Sequence, residues 1–164
     1  ITGGNEYAKK NGWTLKRHEA YPTTDNSIKS DWDCYDFLEE KTKNNIFESF
    51  QNNFKIDKNK LEIEELFISK YDGNNKDKQN SLEFHIDGNE FSFVIALNDN
   101  YEGGGTHFKD LDKVVKINKG DCLIFCGQRY HGGSKVLNGI RYVIAGFINY
   151  NACKKIREEI ENDD

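Results

Sequence analysis

Two imidazoles and one carboxylate can hold a divalent transition metal while leaving coordination positions open to other reactants. Residues of these types stand in one stretch of this chain: His85, Asp87 and His131. Arg141 follows His131 by ten residues. Its planar guanidinium can offer two parallel, charge-assisted hydrogen bonds to the carboxylate of a co-substrate. The tripeptide His85-Ile86-Asp87 alone is a weak signal. A second histidine 46 residues on, and an arginine ten beyond that, make it much stronger. His18 and His107 fit no such pattern and read as structural histidines, although His107 follows three glycines closely enough to border a pocket.

Such a set needs strands to bring it together. In an extended strand, side chains at i and i+2 point the same way about 7 Å apart, so His85 and Asp87 can converge on one ion. His131 then has to arrive from a segment distant in sequence, at the end of the strand carrying Leu123 and Phe125. Short β-rich runs are expected at 82–86, 90–98, 105–109, 113–117, 121–126 and 140–149, separated by turn signals, with a longer strand at 61–71. Many short strands with regular turns predict a mainly β fold, a double-stranded β-helix (jelly roll, cupin-like). Residues 13–21 read as an early strand and 22–27 as a turn. Trp32, Tyr35, Leu38, Ile46, Phe47 and Phe50 recur on a helical face, predicting a supporting helix over 31–52, capped by Ser30 with Asp33, that packs against a sheet. The polar loop 72–80 is expected to be mobile near the mouth of the site, and 151–164 to be a polar helix or frayed tail.

At 164 residues the chain reads as a single domain, 1–164, with its metal and co-substrate core at about 61–150. A net charge of −5 without a long basic run argues against nucleic acid as a partner. No apolar run approaches the roughly 20 residues needed to cross a bilayer, and no secretory signal is seen. The absence of methionine and the opening Ile-Thr-Gly-Gly point to a trimmed chain. Cys34, Cys122, Cys126 and Cys153 include no Cys-x-x-Cys pair. On a strand Cys122 and Cys126 lie about 13 Å apart, too far for a disulfide. Buried free thiols are expected, which favours a reducing, cytoplasmic setting.

From Phe67 to Asn149 the sequence resembles the iron(II)- and 2-oxoglutarate-dependent oxygenases, in the procollagen lysyl hydroxylase and prolyl 4-hydroxylase branch. The resemblance rests on FISKYDGNNKDKQNSLEFHID, FSFVIALNDNYEGGGTHF and HGGSKVLNGIRYVIAGF. It implies that His85, Asp87 and His131 ligate Fe(II) and that Arg141 holds the far carboxylate of 2-oxoglutarate. Tyr71 matches a tyrosine that contacts the same co-substrate. It further implies hydroxylation of a peptidyl lysine or proline by O2, with release of succinate and CO2 and with ascorbate as an auxiliary reductant. Related halogenases lack the carboxylate ligand, so Asp87 implies hydroxylation. Two departures stand out: a longer loop between Tyr71 and His85, and Val94 where lysyl hydroxylases carry a polar residue.

Gly103, Gly104 and Gly105 are expected to form a tight turn with positive φ close to the site, and Gly132 and Gly133 to leave room for co-substrate or oxygen. Trp32, Tyr101 and Tyr130 are candidate substrate contacts. Three alternatives stay open: a hydroxylase of a free amino acid or other small molecule, a non-catalytic cupin-like binding module, and a Zn2+ hydrolase that would leave Arg141 without a purpose. The sequence specifies no oligomeric state.

Overall fold

In a computed structural model, described for residues 2–15, 17–18, 21–75 and 77–151, two antiparallel sheets face each other around a cavity. Helix α1 (Thr2–Asn11) leads to the short strand β1 (Asp25–Ser27). Helix α2 (Tyr35–Lys41) runs through a π-helical stretch, Thr42–Ile46, into α3 (Phe47–Phe54). Then come β2 (Leu61–Asp72), β3 (Leu82–His85), β4 (Phe91–Ala96), β5 (Glu102–Gly103), β6 (Thr106–Phe108) and β7 (Lys113–Val115). The order closes with β8 (Cys122–Cys126), β9 (His131–Gly133), β10 (Val136–Asn138) and β11 (Ile140–Tyr150). The larger sheet has the order β1-β2-β11-β4-β8 and the smaller β3-β9-β6-β7, with β10 and β5 paired separately. This is the expected jelly roll.

The central strands serve two faces. Phe67, Ser69 and Tyr71 of β2, and Arg141, Val143, Ala145 and Phe147 of β11, line the cavity. Leu66, Ile68, Ile144 and Ile148 point the other way, into a core with Ile46, Phe47 and Phe50 of the helical layer. Period-two alternation separates the two roles along each strand. The β2–β11 register slips between Phe147 and Ile148, which pair with Glu65 and Ile63 and skip Glu64. This bulge turns Leu61 and Ile63 toward the helical core. Gly146 matters at the same level, because a Cβ there would come within 2.3 Å of the Phe93 ring, which is 1% exposed.

Several expectations are corrected. The helix begins at Tyr35 rather than residue 31, with Cys34 at its N-cap and no side-chain cap, so Ser30 and Asp33 form no capping box. The strand expected at 13–21 is reduced to a bridge between Thr14 and Asp25, and the turn expected at 22–27 contains β1 instead. Polar Asp25, Asn26 and Ser27 form an edge strand because their backbones pair with Ser69, Ile68 and Phe67. Loop 72–80 is fastened: the Gly73 N–H donates to the Gly139 carbonyl, the Asp72 N–H to that of Gln79, and the Val136 N–H to that of Asn80. The Gln79 side chain accepts from the Thr24 N–H and donates to the Pro22 carbonyl. Cys34 and Cys122 are free but exposed, and Cys126 is half-buried. Cys153 and the expected tail after residue 151 lie outside the described residues. Among the described residues no helix is long and apolar enough to cross a membrane.

Candidate active site

His85 closes β3 and His131 opens β9, where the antiparallel ladder sets them directly opposite each other. Their ring centroids are 4.5 Å apart. Asp87 stands two residues past the end of β3, its N–H donating to the Gly127 carbonyl. A turn rather than a continuous strand therefore aims its carboxylate. His131 likewise starts its own strand in the smaller sheet, separated by a turn from β8, which carries Phe125 in the larger sheet.

The donor atoms of the three residues lie within 4.8 Å of one another, all buried, and could hold one metal ion. His85 Nε2 is 3.3 Å from Asp87 Oδ1, and His131 Nε2 is 3.6 Å from Oδ2. Each histidine is fixed from behind. Nδ1 of His85 donates to the Glu83 carbonyl at 2.8 Å and Nδ1 of His131 to that of Arg129 at 2.8 Å. With Nδ1 committed in this way, each ring in its neutral form presents the Nε2 lone pair toward a metal. Ser92 Oγ donates to Asp87 Oδ2 at 2.5 Å.

Electrostatics reflect the crowding. Burial pushes the Asp87 pKa up, but the hydrogen bond from His85, the nearby His131, and Ser92 outweigh it and hold the carboxyl below its usual range. Burial lowers His85, yet its bonds to Asp87 and the Glu83 carbonyl raise it overall. His131 is lowered, chiefly by burial, against the opposing pull of Asp87. At neutral pH Asp87 is therefore ionised, as a ligand must be.

The cavity beside this triad has a volume of about 360 Å³ and walls that are mostly apolar. Arg141 enters it from β11, opposite Tyr71 in register, with its guanidinium carbon 5.3 Å from the Tyr71 ring centroid. It is 4% exposed, and its Nε has no hydrogen-bond partner. Arg17 and Arg129 sit on carboxylates, whereas Arg141 has none among the described residues. A buried, unpaired guanidinium is costly, and an anion entering this cavity would relieve that cost. The residues present thus fit both a metal and a dicarboxylate.

The glycine turn is as expected: Gly103, Gly104 and Gly105 have φ of 76°, 64° and 113°. A Cβ on Gly104 would crowd Tyr101 and Arg141 Cδ, so the turn lets backbone pass beside the arginine. Gly132 and Gly133 line the cavity and also give space to the β3 backbone and the Tyr71 ring. Val94 lines the cavity.

The other aromatic candidates are placed elsewhere. Trp32 packs on Tyr7 and the helical core, Tyr101 on the cluster around Tyr71, and exposed Tyr130 on Phe84. His107 contacts Phe84 and Asp112 outside the cavity lining. Sequence reasoning missed His18 and Tyr21, which do line it. The Tyr21 ring lies 4.9 Å from that of His85. Neither residue carries a spacing signal, because β1 pairing alone brings their segment to the site.

No family model matches the chain. It is 37% identical over 79 residues to procollagen-lysine,2-oxoglutarate 5-dioxygenase of Drosophila melanogaster, which covers 44% of this chain but only 11% of that protein's length. Among solved structures, the viral collagen prolyl hydroxylase of Paramecium Bursaria Chlorella virus-1, in complex with 2OG, superposes with a TM-score of 0.61 at 21% identity, covering 89% of this chain and 86% of that one. A Pseudomonas putida prolyl-4-hydroxylase gives a TM-score of 0.65 at 14% identity over 91% and 83% of the two chains. A 2OG-Fe(II) oxygenase family member from Burkholderia pseudomallei gives 0.59 at 14%, over 79% and 66%. The resemblance to the Fe(II)- and 2-oxoglutarate-dependent oxygenases, in their lysyl and prolyl hydroxylase branch, thus holds in sequence and in fold.

Proposed function

We propose that this chain is an Fe(II)- and 2-oxoglutarate-dependent hydroxylase of a peptidyl lysine or proline side chain. One observation carries the reading: a buried His-Asp-His cluster shares its cavity with an arginine that lacks a carboxylate partner among the described residues. A Zn2+ hydrolase would need the first but leave the second without a purpose.

In this reading His85, Asp87 and His131 hold the metal through Nε2, a carboxylate oxygen and Nε2, and Arg141 receives the far carboxylate of 2-oxoglutarate. When bound, the two together supply O2-driven hydroxylation of an unactivated C–H bond, with one oxygen atom going to the product and one to succinate as CO2 leaves. The protein's own part is positional. The carbonyls of Glu83 and Arg129 hold both imidazoles in one tautomer, and Ser92 steadies Asp87. Phe125, Val94 and Val143 keep the chamber apolar, which strengthens the pairing between Arg141 and an anion. Tyr71 packs against the guanidinium and limits its orientations. The free thiols of Cys34 and Cys122 support a reducing compartment.

Succinate release by the Fe(II)-loaded chain, screened over lysine- and proline-containing peptides and free amino acids, tests this reading. Turnover stimulated by one peptide class, and abolished by His131→Ala with the fold retained, is expected. Stimulation by free amino acids alone would replace the peptide substrate by a small molecule. No succinate from any mixture would reject the enzyme in favour of a binding module.

A further inference from the structure

Resting on the hydroxylase reading, a further assignment concerns the face of the cavity away from Arg141. His18, Tyr21, Phe67 and Phe147 gather there. The His18 ring lies 5.0 Å from Phe67 and 6.0 Å from Phe147, and Tyr21 stacks on the metal-site residue His85. Apart from the Tyr21 phenol the box is built of phenylalanine rings, so a further polar hydrogen within it is conspicuous.

His18 supplies one. Arg17 Nη2 lies 3.0 Å from His18 Nε2. A guanidinium can only donate, so Nε2 accepts and the neutral ring carries its hydrogen on Nδ1. Asp25 Oδ2, at 3.6 Å from the same Nε2, is too distant to reverse that assignment. Arg17 is itself locked: Nε donates to Asp25 at 2.6 Å, Nη1 pairs with Glu65, and the guanidinium carbon sits 4.8 Å over the Phe67 ring. Asp25 is 0% exposed and also accepts from Thr23. His18 Nδ1 has no protein partner among the described residues. Burial and the charge of Arg17 both lower the His18 pKa, which keeps the ring neutral.

We infer that His18 is a substrate-positioning residue, whose Nδ1–H, fixed by Arg17, donates to an sp² oxygen of the substrate while the aromatic box packs its aliphatic part. That oxygen is an amide carbonyl in a peptide or a carboxylate in a free amino acid. The metal and the co-substrate need nothing from His18.

The test uses the full ¹⁵N-labelled chain loaded with Zn2+ and 2-oxoglutarate, titrated with capped tripeptides centred on proline or lysine, and with free proline and lysine. Long-range ¹H–¹⁵N spectra are expected to show His18 neutral and protonated at Nδ1, and to show that nitrogen shifting with at least one probe. A shift with capped tripeptides alone identifies the carbonyl, a shift with free amino acids alone identifies the carboxylate, and a shift with both shows that the donor takes either oxygen. His18→Phe should weaken the responding probe about tenfold without altering 2-oxoglutarate affinity. His18→Asn, which restores a donor near the Nδ1 position, should recover most of that loss. An Nε2-protonated or charged ring, no shift with any probe, or equal weakening of probe and 2-oxoglutarate would overturn the assignment. Absence of succinate release by the wild type would instead reject the hydroxylase reading and leave the ring measurement standing.

Discussion

Arg141 is buried against the Tyr71 ring with no carboxylate partner among the described residues. A charge without a partner destabilises the unliganded protein, so Arg141→Met should leave the stability of the metal-free chain unchanged or raise it. The same change should raise the 2-oxoglutarate requirement about 30-fold or more while metal affinity changes far less. Calorimetric titration with each ligand separates the two, and equal loss of both would contradict an anchoring role. Tyr71 is fully buried, and burial raises its pKa despite the opposing charge of Arg141. Its phenol should stay protonated through the ordinary tyrosine range near pH 10. In an ultraviolet titration Tyr71→Phe should therefore leave the tyrosinate amplitude in that range unchanged. The sign for stability follows: a raised folded-state pKa contributes fully below the unfolded value and is lost as pH rises through the folded one.

At the level of elements, the central strands set what can vary. Gly146 faces Phe93 so closely that Gly146→Ala should cost about 2 kcal/mol through overpacking, lowering Tm by about 4–8 °C. An unchanged melting curve would show that the ring moves aside freely. The same strands explain what was legible in the sequence. Runs such as FSFVIA and IRYVIAGFINY carry β-branched and aromatic residues between turn signals, and β4 and β11 lie within two residues of expectation. β1, β5, β9 and β10 were not foreseen. Asp25-Asn26-Ser27 and His131-Gly132-Gly133 have no strand propensity of their own and are extended only because a neighbour pairs with them. The helix was visible as a face, but its π-helical stretch at Thr42–Ile46 was not. The clustering of the two buried histidines with Asp87 was legible through spacing, whereas His18 depends on a register between β1 and β2 that no local pattern encodes.

For the molecule as a whole, the cluster ties two segments distant in sequence across the smaller sheet, so a bound ion should act as a clasp. Adding Mn2+ at about 100 times its dissociation constant should stabilise the fold by about 2.7 kcal/mol, a rise in Tm of roughly 5–10 °C. The shift should vanish in His131→Ala, and a shift retained there would place the ion elsewhere. The fold class was readable because alternation, turn spacing and strand number all point to the same closed architecture. The cavity was not, since its lining is gathered from β2, β3, β4, β6, β8, β9, β11 and the segment before β1.

That segment also bears on how such a protein could change its diet. β11 commits one face to the arginine and the other to the hydrophobic core, so few substitutions in it would spare both. The stretch around His18 and Tyr21 hangs from the sheet by a three-residue edge strand and one bridge. Novelty in what the chamber accepts can arise there while iron, co-substrate and scaffold stay as they are.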